Sequence, residues 1–200
     1  MSFLYAGDPA LPRVVFLHGT PGAADGWADY LLDPPVGFEA VAIDRPGFGE
    51  TRPRRAVASL GEQAQAVEPF LLSRKGASTL LVGHSLGAPI AARVAVDHPD
   101  RVSGLVLLAG SLDPDLEEVL WIQYLGRWFG LEWLIPRWAR NANRELIALE
   151  KHLRALAERL PEVRCPVVIV HGTDDSLVPY ANVAFMEKHF AANPRVEVMR

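Results

Sequence analysis

Five short apolar runs recur along this 200-residue chain: Val14 to Leu17, Ala40 to Ile43, Thr79 to Val82, Val102 to Leu108 and Val167 to Val170. They are rich in β-formers and are closed by glycine, proline or aspartate. A strand with one wet face alternates apolar and polar residues, whereas nearly continuous apolar runs fit strands buried on both faces. That is the pattern of a parallel sheet sandwiched by helices. The predicted class is α/β, with a mostly parallel central sheet.

The segments between the runs have helical character. Ser59 to Ser73 carries Leu60, Ala64, Val67, Leu71 and Leu72 at mostly helical spacing, and Leu86 to Val96 is a small-residue helix able to lie close to a sheet. After Ser111 the rhythm changes. Asp113 to Leu160 holds no strand candidate, contains Trp121, Trp128, Trp133 and Trp138, and is strongly helical from Asn143 onward, with breaks expected at Gly126, Gly130 and Pro136. Residues 113–160 therefore read as a helical insertion between core segments 1–112 and 161–200. The alternation then resumes with a helix over Tyr180 to Phe190 and a strand opening at Arg195 to Met199.

A formal net charge of -4 offers no basic stripe for phosphates, so nucleic acid is not an expected partner. The N-terminus lacks a basic region followed by a long apolar stretch and a small-residue cleavage site, which gives a cytoplasmic expectation. No apolar run approaches the ~20 residues of a membrane-spanning helix. The single Cys165 has no internal disulfide partner and reads as a packed thiol. No H-E-x-x-H and no cysteine cluster occurs, so neither metal nor other cofactor is expected.

Chemistry concentrates at the ends of the runs. Gly83-His84-Ser85-Leu86-Gly87 follows Thr79 to Val82 and opens a helix, which matches the nucleophile elbow G-x-S-x-G in its strand-turn-helix setting. Glycines on either side let strand and helix approach around a sharply turned serine, and the helix N-terminus favours negative charge developing there. His18-Gly19-Thr20-Pro21-Gly22 follows Val14 to Leu17, and Asp44-Arg45-Pro46-Gly47-Phe48-Gly49 follows Ala40 to Ile43. His171 to Pro179, HGTDDSLVP, follows Val167 to Val170.

In this order the four segments resemble the α/β-hydrolase family, over nearly the whole chain. The resemblance implies Ser85 as nucleophile, with the backbone N–H groups of Thr20 and Leu86 as the oxyanion hole. Asp44 is then a turn-former, and the acid is Asp175, with Asp174 as its competitor. Residues 113–160 fall where the family carries its cap, after the sixth strand in the family's count. Their aromatics either line an apolar acyl pocket or pack the cap onto the core. The family's histidine lies in the loop after the eighth strand, which here is Arg195 to Met199, so it is expected beyond Arg200. His18, His84, His98, His152, His171 and His189 do not replace it, and the 200-residue form is expected to be impaired.

The implied reaction is hydrolysis of an ester or related acyl bond of a small, apolar acyl substrate through an acyl-enzyme. An acyltransferase or perhydrolase would share these residues, and a degenerate, non-catalytic homologue lacking the histidine is the remaining alternative. Serine rather than aspartate at the elbow argues against epoxide and haloalkane hydrolysis. Substrate identity and oligomeric state are not legible from these residues.

Overall fold

A computed structural model of the chain describes residues 1–71, 79–117 and 135–200. The apolar runs become the interior of one sheet of seven strands: β1 (Phe3–Ala6), β2 (Arg13–Leu17), β3 (Glu39–Ile43), β4 (Thr79–His84), β5 (Val102–Leu108), β6 (Val167–Val170) and β7 (Val196–Met199). Their order is β1-β3-β2-β4-β5-β6-β7. Every neighbouring pair is parallel except β1 with β3. The α/β sheet expectation is met.

Period-two geometry divides each strand between two apolar layers. Val15, Leu17, Val41, Ile43, Leu81, Leu105, Leu107 and Ile169 join the larger cluster. It is covered by α2 (Leu60–Val67), α3 (Gly87–Asp97), α4 (Arg137–Ala157) and α5 (Ala181–His189). On the other face Val14, Phe16, Ala40, Ala42 and Val82 pack with Trp27, whose ring stands 4.9 Å from that of Phe16. Trp27 immediately precedes α1 (Ala28–Leu32).

Two helix boundaries differ from expectation. Ser59 caps α2 by accepting from the Glu62 N–H, but the helix gives way at Glu68–Phe70 to a 3-10 turn containing Pro69, which has no N–H to continue the ladder. Helix α4 begins at Arg137 rather than near Asn143. Pro136 stands at its start: its carbonyl accepts from the N–H groups of Ala139 (3.0 Å) and Arg140 (3.1 Å), and a proline's missing N–H costs nothing at a helix start. Trp138 on this helix is exposed. The breaks expected at Gly126 and Gly130, and Trp121, Trp128 and Trp133, lie outside the described residues. Among the described residues no helix is long and apolar enough to cross a membrane.

Register brings the strand ends together. Leu17 pairs with Gly83, His84 with Leu108, and Leu108 with Val170. The loops that follow β2, β4, β5 and β6 therefore emerge along one edge. Strand order reverses between β2 and β4, and in open α/β sheets the crevice at such a reversal is where ligands bind.

Candidate active site

Ser85 stands between β4 and α3 with φ of 52°, a left-handed conformation that is costly for a residue with a side chain. Backbone bonds hold it there: its N–H donates to the Leu108 carbonyl (3.0 Å), and its own carbonyl accepts from Ala88 (3.0 Å). The flanking glycines are required sterically. A Cβ on Gly83 would strike the Gly87 carbonyl and lie 2.6 Å from Ala88 Cα, and one on Gly87 would strike the Leu17 carbonyl. A Cβ on Gly19 would come within 2.9 Å of Ser85 Cβ, so the loop after β2 lies directly against the elbow.

A cavity of about 500 Å³ opens over this turn. Thr20, Ser85 and Leu86 line one side, and Ser176 to Pro179 from the loop after β6 line another. Leu116, Leu146 and Leu149 add an apolar wall. Ser111 and Glu117, on the segment after β5, also line it and hydrogen-bond each other through Ser111 Oγ and Glu117 Oε1. Burial pushes the Glu117 carboxyl above its ordinary range. Sequence reasoning did not single out this pair, because an acidic residue at the edge of a polar segment reads as solvated.

The loop Gly19 to Gly22 is fastened from beneath. Asp44 accepts from the Ala24 N–H (2.8 Å) and the Glu50 N–H (3.1 Å), which is the work of a turn-former. Arg45, fully buried, donates through Nε to the His18 carbonyl (2.9 Å) and through Nη2 to the Gly19 carbonyl (2.9 Å). Its other edge meets Glu145 of α4, Nη1 to Oε1 at 2.9 Å and Nη2 to Oε2 at 3.2 Å. Gln63 Nε2 donates to Glu145 Oε1 at 2.8 Å. The His18 ring completes the arrangement: Nδ1–H donates to the Gly19 carbonyl (2.7 Å), and Nε2 accepts from the Arg45 N–H (3.1 Å). Burial first, and the Arg45 charge second, lower the His18 pKa to about 3, so the ring is neutral.

Neither Arg45 nor Glu145 was a sequence-level candidate. One signal was present: Glu145 shares a helical face with Ala142, Leu149, Leu153 and Leu156, all buried, and an acid on an apolar stripe needs a partner.

In the loop after β6, Asp175 Oδ1 accepts from the N–H groups of Leu177 (2.9 Å) and Val178 (2.9 Å). The Val178 bond, with Leu177 adding to it against partial desolvation, holds this carboxyl below the usual range. Asp174 is exposed. Buried His171 donates through Nε2 to the Val178 carbonyl (2.9 Å) and stands 3.9 Å from Asp175 Oδ2.

All six histidines are described, and none makes a hydrogen bond to Ser85. His18 and His171 bond backbone carbonyls, and His98 ends α3. His189 bonds the Phe185 carbonyl and stacks on its ring, 4.0 Å between centroids. His84 is exposed beside the elbow, and His152 lies on α4. Among the described residues no cluster of histidine, cysteine or carboxylate side chains is arranged to hold a metal ion.

A family model described as alpha/beta hydrolase fold matches residues 12–143. A protein of Klebsiella pneumoniae bearing the name carbamate hydrolase RutD is 28% identical over a 222-residue alignment, taking in 95% of this chain and 84% of that relative. The dihydrolipoyllysine-residue acetyltransferase component of the acetoin cleaving system of Cupriavidus necator is 38% identical over 97 residues, 48% of this chain and 26% of that protein. The chain thus spans about a quarter of the length of the second relative. Among solved structures, the monoacylglycerol lipase of Paleococcus ferrophilus superposes with a TM-score of 0.76 at 18% identity, over 99% of this chain and 87% of that one. The enol-lactonase of Burkholderia xenovorans LB400 does so at 0.74 and 16% identity, over the same shares. At these identities the two structures speak to the fold alone.

Proposed function

Because the chain belongs to the α/β-hydrolase fold family, we propose that it is a serine hydrolase that cleaves an acyl bond through a covalent acyl-enzyme. One observation carries the reading: Ser85 is held at φ 52°, facing a cavity bordered by Thr20, Leu86 and the loop that bears Asp175. Strain of this kind persists only where the surroundings impose it, and it clusters at reactive sites.

In the proposed reaction Ser85 Oγ attacks the substrate carbonyl carbon while a histidine takes its proton. The N–H groups of Thr20 and Leu86 hold the resulting oxyanion. The tetrahedral intermediate collapses, the histidine returns the proton to the departing oxygen or nitrogen, and Ser85 is left acylated. Water, deprotonated by the same histidine, then releases the acid and restores the serine. Asp175 orients the histidine and stabilises its charged form.

β7 lies parallel to β6 with Met199 opposite Val170, so the end of β7 lies beside the start of the loop carrying Asp175. The wall formed by Leu116, Leu146 and Leu149 suits an apolar acyl group, and residues 113–160 are taken as the cap. A relative named as a carbamate hydrolase, aligned over most of both chains, is in keeping with carbonyl–heteroatom cleavage. Acyl transfer to an acceptor other than water uses the same residues, and product analysis with competing acceptors separates the two.

The test is reaction with an activated fluorophosphonate followed by intact-protein mass spectrometry. The expected result is one adduct on the unsubstituted chain and none on Ser85→Ala. A folded sample that acquires no adduct would refute the assignment.

A further inference from the structure

The Gly19 carbonyl and the Thr20 N–H belong to one planar peptide unit, and that peptide is trans, since among the described residues the cis bonds are Thr20-Pro21 and Arg52-Pro53. In a trans amide the C=O and N–H point in opposite directions, so whatever fixes the carbonyl aims the N–H. Two donors fix it: Arg45 Nη2 at 2.9 Å and His18 Nδ1 at 2.7 Å. Arg45 also holds the preceding carbonyl, that of His18, through Nε at 2.9 Å, and its backbone N–H sets the His18 ring through Nε2 at 3.1 Å.

Arg45 keeps this posture because two further donors are occupied. A planar guanidinium has a rigid fork of N–H groups, and the outer edge here is taken up by both Glu145 oxygens at 2.9 and 3.2 Å. The two side chains are 1% and 2% exposed, so no solvent stands ready to replace the carboxylate. Without it a buried guanidinium would be left with unpaired donors and an uncompensated charge, and it would turn or draw in water to satisfy them. Glu145 is steadied in turn by Gln63, whose amide also donates to the Val57 carbonyl at 2.8 Å. The turn of α4 that presents Glu145 also presents Leu146 and Leu149 to the cavity.

We propose that Glu145, acting through Arg45, is a positioning residue that aims the Thr20 N–H into the cavity, and so joins the α4 wall that receives the acyl group to stabilisation of the oxyanion. This rests on the reading of Ser85 as nucleophile and of Thr20 as a donor to the oxyanion. A pair that only held the fold together would alter the fraction of folded molecules and leave the reactivity of each folded site unchanged. A pair that aims a donor changes the reactivity itself.

The experiment compares the unsubstituted chain, Glu145→Gln, and the double variant Arg45→Met/Glu145→Leu, with Val67→Ala as a control for destabilisation in the core. Replacing both members of a buried ion pair by apolar residues usually preserves folding, so the double variant serves if Glu145→Gln does not fold. For each, the maximal rate of fluorophosphonate labelling, the half-saturating reagent concentration and the final labelled fraction are measured. Hydrogen exchange over residues 16–24 is followed in parallel.

In the pair variants the maximal rate should fall about tenfold or more, as for a misdirected oxyanion donor, with half-saturation within about twofold and labelling still going to completion. Exchange over residues 16–24 should quicken while β4 stays protected. Val67→Ala should keep the parental rate. An unchanged maximal rate and unchanged loop exchange in the double variant would overturn the proposal. If the unsubstituted chain does not label, the serine-hydrolase reading fails. Exchange over residues 16–24 then decides the loop coupling: faster exchange in the pair variants upholds it, and unchanged exchange refutes it.

Discussion

Mild acid should weaken this fold, and one buried ring, His18, should account for a separable part of the loss. His18 donates from Nδ1 to the Gly19 carbonyl and accepts at Nε2 from the Arg45 N–H, so a proton added at Nε2 would face a donor and a neighbouring guanidinium. Burial, then Arg45, lowers its pKa from 6.5 to about 3. In the unfolded chain the ring titrates near 6.5, so below that pH the unfolded state binds a proton that the folded state does not. The contribution of neutral His18 is therefore complete above about pH 6.5 and is lost as pH falls toward about 3. At about 1.4 kcal/mol per pH unit per proton, the loss between pH 7 and pH 5 is about 2 kcal/mol. His84 and His152 also have lowered pKa values, so the parent's slope alone does not isolate the ring. The informative quantity is the stability difference between the parent and His18→Gln, measured by urea unfolding at pH 7 and pH 5, a range that stays above most carboxylate titration. The variant's deficit should shrink by about 2 kcal/mol at the lower pH. A deficit that is the same at both pH values would show that His18 titrates alike in the folded and unfolded states, and would refute the argument.

Three further outcomes follow from the elbow and the core. Ser85→Gly should melt higher than Ser85→Ala, because glycine removes about 1–2 kcal/mol of left-handed strain against about 0.5–1 kcal/mol of added chain entropy. The gap should be about 1–3 °C, and a Ser85→Gly melting temperature below that of Ser85→Ala would contradict a strained Ser85. Gly87→Ala would place a methyl group 2.8 Å from the His18 carbonyl oxygen and closer still to that of Leu17. Denaturant titration should find it destabilised by about 2 kcal/mol or more, with fluorophosphonate labelling lost. Burial raises the Cys165 thiol to about 11, which leaves about one molecule in a thousand as thiolate at pH 8. A chromogenic thiol reagent should leave the native protein untouched for hours and react at once in denaturant, and rapid native reaction would contradict the burial.

Much of the fold is local and could be read directly. The five apolar runs became β2 to β6 because continuous apolar sequence has one comfortable place, between two layers of helices. The sharp turn at Ser85 was legible because only glycine tolerates the approach of the Gly87 carbonyl to Gly83 and of the Leu17 carbonyl to Gly87. Asp44 and Asp175 were legible as loop residues, since a short carboxylate next to glycines readily binds the backbone N–H groups of its own turn. The start of α4 was placed too late, near Asn143, because a proline that interrupts a helix from within also begins one well, and the residue itself does not mark how soon the helix follows.

What the sequence determined by itself is the set of parts: which runs are strands, which turns are tight, and which serine stands at an elbow. Each depends on side chains within a few residues of one another. Only the tertiary structure decided that Arg45 and Glu145, 100 residues apart, would share one dry pocket beneath Thr20. The charge of each says only that it seeks a partner. The partner was chosen by the burial of α4 against the sheet, where desolvation leaves an ion pair no alternative but the opposite charge within reach.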